Sequence, residues 1–231
     1  MQADATKITA FQDRLLAWYR KGRRRFAWRS PSTSAYAILL SELMLRKTGT
    51  ATVAQEYEPF VERYPSPEYL AAAAASDIAL SIRRLGIADR GRLLKSLGEQ
   101  LVTEYAGEVP RTMSQLMALP GVGRYTASAV LCFAYQQAVA ILDTNAIRVL
   151  DRVFSIRSAM TRPHLDGTLW SAATELVPPS RPVAYNRALL DFAAVVCTHR
   201  HPRCGVCPIS TICDFYRTQS TESTAQPQPV T

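Results

Sequence analysis

Long apolar runs are missing from this chain: no stretch approaches the roughly 20 residues that a membrane-spanning helix needs. The first residues, MQADATKITAF, have neither the basic start nor the apolar core of a secretory signal. A soluble, monomeric protein of the cytosol or nucleoid is expected. No stretch alternates apolar and polar residues as a half-buried strand does, and no repeat of 20–50 residues recurs. Cysteine is scarce outside one cluster. Of five cysteines, four fall between Cys197 and Cys213, and only Cys132 stands apart. Without an export signal, a disulfide framework is not expected. Acidic residues are also in deficit, 19 against 27 Lys and Arg, for a net charge of +8. That balance suits a polyanionic partner, although many basic proteins bind no nucleic acid.

Helical periodicity is what the chain has instead. Residues 35–47 put Tyr36, Leu39, Leu40, Leu43 and Met44 on one face. Further helices are expected at about 5–20, 50–63, 76–84, 90–106, 124–135, 144–157, 165–176 and 182–196. Pro65, Pro67, Gly107, Pro110, Pro120, Pro163, Pro178 and Pro179 punctuate them. Residues 217–231, rich in Ser, Thr, Gln and Pro, read as a disordered tail.

Three groups of residues carry chemistry. Cys197, Cys204, Cys207 and Cys213 have the spacing C-x6-C-x2-C-x5-C. Four thiolates so close in sequence can wrap zinc or a 4Fe–4S cluster. Cys132, among Val130, Leu131 and Phe133, reads as a buried apolar residue. Within the first cysteine loop, Arg200 and Arg203 are either phosphate contacts or part of a solvated turn. The second group is the string Leu119-Pro120-Gly121-Val122-Gly123-Arg124-Tyr125-Thr126-Ala127. Two apolar helices of about 113–134 flank a turn whose glycines let a phosphate approach the backbone. The next helix starts at the same point, with its free N–H groups. Alone, Gly-x-Gly is equally any tight turn. The third group is acidic. Asp143 precedes an amphipathic helix with Ile147, Leu150, Val153 and Phe154 on one side, so it either caps that helix or does chemistry. Glu42 sits on a helix apolar on both sides. A buried carboxyl there needs a partner or a proton, so it is a structural hydrogen-bonding group or a proton donor.

These strings resemble the helix-hairpin-helix DNA glycosylases of the endonuclease III and MutY superfamily over nearly the whole chain, from Phe26-Ala27-Trp28-Arg29 to Cys213. The resemblance implies an all-α, two-lobed fold. Residues 30–140 would form a six-helix barrel holding the hairpin, and residues 141–216 an iron–sulfur lobe on which residues 1–29 pack. It implies a 4Fe–4S cluster on the four cysteines and a double-stranded DNA partner carrying a mismatched or damaged base. Asp143 would stabilise an oxocarbenium-like sugar or activate water, with Glu42 and Tyr125 holding the leaving base. Gly121, Val122, Gly123, Arg124, Arg200 and Arg203 would grip the backbone. Ile87, with Leu85, would wedge into the stack, and Arg46 or Lys47 would contact the orphan guanine.

Within the superfamily, the adenine glycosylases share the FxWR string and Ser41-Glu42. They differ in carrying paired glutamines where Arg46-Lys47 stand, a GLGYY-type wedge where Leu85-Gly86-Ile87-Ala88 stands, and a C-terminal domain, whereas eighteen residues follow Cys213 here. Endonuclease III-type enzymes carry a Schiff-base lysine where this chain has Tyr125, so no lyase step is expected. The strings Glu42-Leu43-Met44-Leu45-Arg46-Lys47-Thr48, Leu85-Gly86-Ile87 and Leu190-Asp191-Phe192-Ala193-Ala194-Val195-Val196-Cys197 resemble most the archaeal-type mismatch-specific thymine-DNA glycosylases. Monofunctional removal of thymine or uracil opposite guanine is the implied activity, with a MutY-type adenine glycosylase lacking the C-terminal domain as the alternative.

Overall fold

The computed structural model describes residues 4–86 and 89–218. All regular structure among the described residues is helical. The order is α1 (Ala5–Lys21), α2 (Ala35–Met44), α3 (Thr50–Arg63), α4 (Pro67–Ala72), α5 (Ala75–Ser81), α6 (Arg90–Tyr105), α7 (Met113–Ala118), α8 (Arg124–Tyr135), α9 (Thr144–Phe154), α10 (Gly167–Glu175) and α11 (Pro182–Val195). Short 3-10 turns supplement them, among them Ala27–Arg29, Arg83–Leu85 and Cys204–Val206. No described helix is long and apolar enough to cross a membrane.

The chain divides into two compact units. One is Arg25–Gln137; the other joins Met1–Arg24 to Ala138–Thr231. In the first, α2 is the buried centre. Residues Tyr36 to Met44 are all buried, and Ser34 caps the helix by accepting from the Ala37 N–H. The helix packs on α8. Helices α4 and α5 lie across α6. Gly98 permits the α4 crossing, since a Cβ there would come within 2.7 Å of Leu70 Cβ. Trp28, in the 3-10 turn Ala27–Arg29, is buried edge-on to Tyr57, at 5.4 Å between ring centroids.

In the second unit α1 and α9 pack on α11. Phe11 meets Phe154 at 5.1 Å and Tyr185 at 6.2 Å, both edge to face. Asn186, fully buried on α11, is the polar pin of this unit. Its Oδ1 accepts from Ile141 N–H (3.0 Å), and its Nδ2 donates to the carbonyls of Val139 and Pro182 (3.0 Å each). Buried polar groups must be paired, so this amide fixes the extended segment 139–141 that leads into α9. Asp191, likewise fully buried, accepts from the Arg24 backbone N–H (3.2 Å) and lies 3.7 Å from its guanidinium.

Several elements depart from the sequence reading. The helix predicted over 35–47 stops at Met44, because Lys47 adopts a left-handed φ of 55°. The one predicted over 76–84 breaks into α5 and the 3-10 turn Arg83–Leu85. The helix predicted over 144–157 ends at Phe154, with Ser155 left-handed. Its buried stripe is Ala146, Val149, Leu150, Val153 and Phe154, and Ile147 is only half-buried. Helix α4 was not predicted: Pro67 starts it instead of breaking the chain, since a proline at the first helical position lacks only an N–H that would go unbonded anyway. Residues 217 and 218, assigned to a tail, belong to a helical turn in which Arg217 N–H donates to Cys213 O (3.1 Å). The remainder of that tail lies outside the described residues.

Candidate active site and cysteine cavity

The hairpin is built from α7, α8 and the turn between them. Val122 N–H donates to Leu119 O (3.1 Å), closing the turn. Gly121 takes a φ of 74°, and a Cβ there would lie 2.6 Å from Leu93. Only glycine meets both conditions. Gly123 is different. Its φ of −97° is ordinary, but it N-caps α8 without a side chain, and the space where its Cβ would stand is open. The expected grip of Val122 on DNA needs correcting: its N–H closes the turn and its side chain is buried, so it holds the hairpin together. The exposed Gly123 and the first residues of α8, Arg124 and Tyr125, present the helix N-terminus.

Glu42 is 4% exposed, on α2, and Tyr125 is half-buried, on the α8 that packs against it. Arg46 and Lys47 are exposed in the turn after α2, and the Arg46 guanidinium donates to Gly121 O (2.7 Å). Leu85 needs a second correction. The 3-10 turn Arg83–Leu85 folds it inward to 3% exposure, so its side chain is core and not a wedge. Ile87 lies outside the described residues.

Asp143 belongs to the other unit. It N-caps α9: Oδ1 accepts from Ala146 N–H (2.6 Å), and Oδ2 from the Asn145 amide (2.8 Å). Capping fixes where the carboxylate stands. Behind it, Asn145 Oδ1 accepts from Arg148 (2.8 Å), whose guanidinium also donates to the carbonyls of Ala193 (2.9 Å) and Cys197 (2.7 Å). A continuous set of hydrogen bonds therefore runs from Asp143 to the first of the four cysteines.

Those four cysteines line one cavity, closed on its apolar side by Phe192, Val196 and Ile209. Burial, and then the neighbouring thiols, push Cys207 up to about 11; burial also raises Cys204 and Cys213. Arg152 braces the loop. It donates to Cys197 Sγ (3.4 Å), Thr198 O (2.7 Å) and His199 O (2.8 Å), and accepts from Cys213 Sγ through its own carbonyl (3.3 Å). Arg200 and Arg203 are exposed on the same loop. Among the described residues, no three His, Cys, Asp or Glu side chains converge as ligands of one ion. The cysteines stand around the cavity walls instead. Cys132 is fully buried in α8.

Sequence reading passed over Asn145, Arg148, Arg152 and Asn186. For Asn145 and Arg148 the i to i+3 spacing on one helix face was an available signal. For Asn186, buried mid-helix, there was none.

Two helices joined by a tight turn that needs a glycine at positive φ make the hairpin of the helix-hairpin-helix proteins. The helix-hairpin-helix motif itself matches residues 104–133. The thymine/uracil-DNA glycosylase of Pyrobaculum aerophilum is 42% identical over 214 residues, 90% of this chain and 93% of that one. The adenine DNA glycosylase of Mus musculus is 36% identical, over 93% of this chain but 43% of that one. The solved structure of a thermostable thymine-DNA glycosylase superposes with a TM-score of 0.87 at 34% identity, covering 93% of this chain and 100% of that one. The chain belongs to the helix-hairpin-helix DNA glycosylases, in the family of the thymine/uracil-DNA glycosylases.

Proposed function

We propose that this glycosylase hydrolyses the N-glycosidic bond of thymine or uracil mispaired with guanine in duplex DNA, without a lyase step. The observation that carries the chemistry is Asp143, held by two hydrogen bonds at the start of α9. A carboxylate fixed beforehand stabilises a developing sugar cation without reorganising when the bond breaks. Glu42, buried beside the hairpin helix, and Tyr125, at its start, hold and protonate the leaving base. A phenol cannot form a Schiff base, so water and not the protein attacks the sugar. Gly123, Arg124, Arg200 and Arg203 hold phosphates, and Arg46 and Lys47 face the orphan guanine, whose acceptors suit them. Ile87 is the wedge that stays in the stack while the target flips, at a cost of a few kcal/mol, less at a mismatch.

The four cysteines fit a 4Fe–4S cluster. Four thiols lining one cavity supply the donor set that a 4Fe–4S cluster takes, one to each iron. Once bound, the cluster supplies negative charge and a covalent staple for the basic loop 198–203. Arg152 brings positive charge to the sulfur of Cys197. Iron and acid-labile sulfide analysis of purified protein tests this; zinc alone would refute it.

A second reading, adenine glycosylase, is favoured by the 36% identity to the mouse enzyme and by the buried Glu42 after Ser41. Single-turnover excision on T:G, U:G, A:G and A:oxidised-guanine duplexes decides. Thymine or uracil release from pairs with guanine is expected; release of adenine alone would overturn the first reading. Borohydride trapping of an enzyme–DNA adduct would overturn the absence of a lyase step.

A further inference from the structure

Arg90 opens α6 and is 4% exposed. A guanidinium is seldom buried unless its donors are used. Here they are used on one short segment. Nη1 donates to Met44 O (3.2 Å) and Nη2 to Arg46 O (2.8 Å), and both lie at hydrogen-bond distance from Thr48 Oγ1 (3.5 and 3.4 Å). Thr48 in turn donates to Leu85 O (2.9 Å). Arg46 reaches the other way, to Gly121 O (2.7 Å). Three turns are thus tied in series: the turn after α2, the end of the 3-10 turn Arg83–Leu85, and the hairpin turn.

The tie acts on a strained place. Lys47 carries a left-handed φ of 55°, a conformation that strains a residue with a β-carbon and persists only where its surroundings impose it. Arg90 holds the carbonyls of Met44, the last residue of α2, and of Arg46, which precedes Lys47 in this turn. The two cationic side chains, Arg46 and Lys47, are left exposed on it. Arg46 also lies close enough to lower the pKa of Arg90, after burial, so the two guanidiniums repel. The Gly121 carbonyl then draws the Arg46 head to the hairpin side. Arg90 lines the floor of an open groove together with Arg46, Asp89, Arg92, Leu93 and Pro120.

We propose that Arg90 is a positioning residue for recognition of the base opposite the target: from the protein interior it sets the turn on which Arg46 and Lys47 are displayed. Its own guanidinium is spent on the Met44 and Arg46 carbonyls. The proposal rests on the assignment of Arg46 and Lys47 to the orphan base. Its signature is a change in opposite-base selectivity, which loss of stability alone does not produce.

The test is single-turnover excision of uracil from U:G and U:A duplexes, where only the opposite base differs, together with thermal melting. In Arg90→Met the U:G over U:A ratio is expected to fall roughly tenfold or more, the scale of one good base contact. Arg90→Lys is expected to recover part of it, since an ammonium reaches two carbonyls but cannot span the whole set. Thr48→Val, which removes the Leu85 link and keeps the arginine, gives a smaller fall in the same ratio, and it stands in if Arg90→Met does not fold. An unchanged ratio in Arg90→Met, or in Thr48→Val in its place, overturns the proposal when the paired Arg46→Met, Lys47→Met chain has lost selectivity. An unchanged ratio in that paired chain defeats the orphan-base assignment itself, and the proposal with it.

Discussion

Replacing Asp143 by asparagine separates the helix cap that the structure shows from the catalytic role proposed for the same side chain. Asparagine caps helices as well as aspartate does. The carbonyl oxygen of Asn at this position can still accept the Ala146 N–H, now received at 2.6 Å. The new amide group would face the Asn145 amide, whose oxygen stays with Arg148 (2.8 Å), so that one side-chain hydrogen bond is lost while the cap remains. The fold should therefore melt close to the parent. Catalysis should not survive in the same way. A carboxylate about 4 Å from a developing cation, at an effective dielectric of about 20, is worth about 4 kcal/mol, or roughly 10³ in rate. Asp143→Ala provides the contrast. It loses the charge and the cap together, so it should show the same rate loss plus about 1 kcal/mol of instability, roughly 2–4 °C in Tm for a protein of this size. The assay is single-turnover base release from U:G duplex at saturating enzyme, with thermal melting of both variants beside the parent. A rate for Asp143→Asn within a few-fold of the parent would refute the electrostatic role. A melting temperature for Asp143→Asn as low as that of Asp143→Ala would refute the cap argument.

Three further outcomes are expected. Asn186→Ala leaves the buried Ile141 N–H without its acceptor, which should cost about 2–3 kcal/mol, or roughly 5–10 °C in Tm; an unchanged melt would mean that the amide pins nothing. Burial, and then Glu58, push Tyr57 up to about 12, while its hydroxyl donates to Ala37 O (3.3 Å). Since its unfolded value is about 10, its contribution is complete below pH 10 and is lost as pH rises towards 12; denaturant melts across that window should show a smaller fall for Tyr57→Phe than for the parent. Arg200→Ala and Arg203→Ala should each lower the slope of log affinity against log salt by about one, weakening binding to all duplexes alike; an effect on T:G duplex alone would contradict a phosphate role.

What the sequence disclosed was whatever local chemistry decides. Gly121 had to be a glycine because the turn itself needs a positive φ, and α7, Gly121 and α8 were legible together. The four cysteines were legible because their spacing is local, although only the fold shows them around one cavity. Asp143 was legible as either cap or acid. The structure shows the cap and places the second carboxylate oxygen on the Asn145 amide.

What stayed hidden was decided by packing between distant segments. Leu85 sits in a string that invites an exposed wedge, but a 3-10 turn closes one residue earlier than an α-helix would, and the side chain lies in the core. Nothing in the sequence singles out Arg90. It is buried because the carbonyls of Met44 and Arg46, some 45 positions away, need donors that no nearby backbone supplies. Both cases follow one physical rule. A chain announces the groups it shows to a ligand through composition, whereas the groups that aim them become visible only when each buried donor and acceptor has been matched. In this protein the aiming groups Arg90, Arg148 and Asn186 each spend their donors on backbone carbonyls, and that is why substituting them should disturb geometry before it disturbs charge.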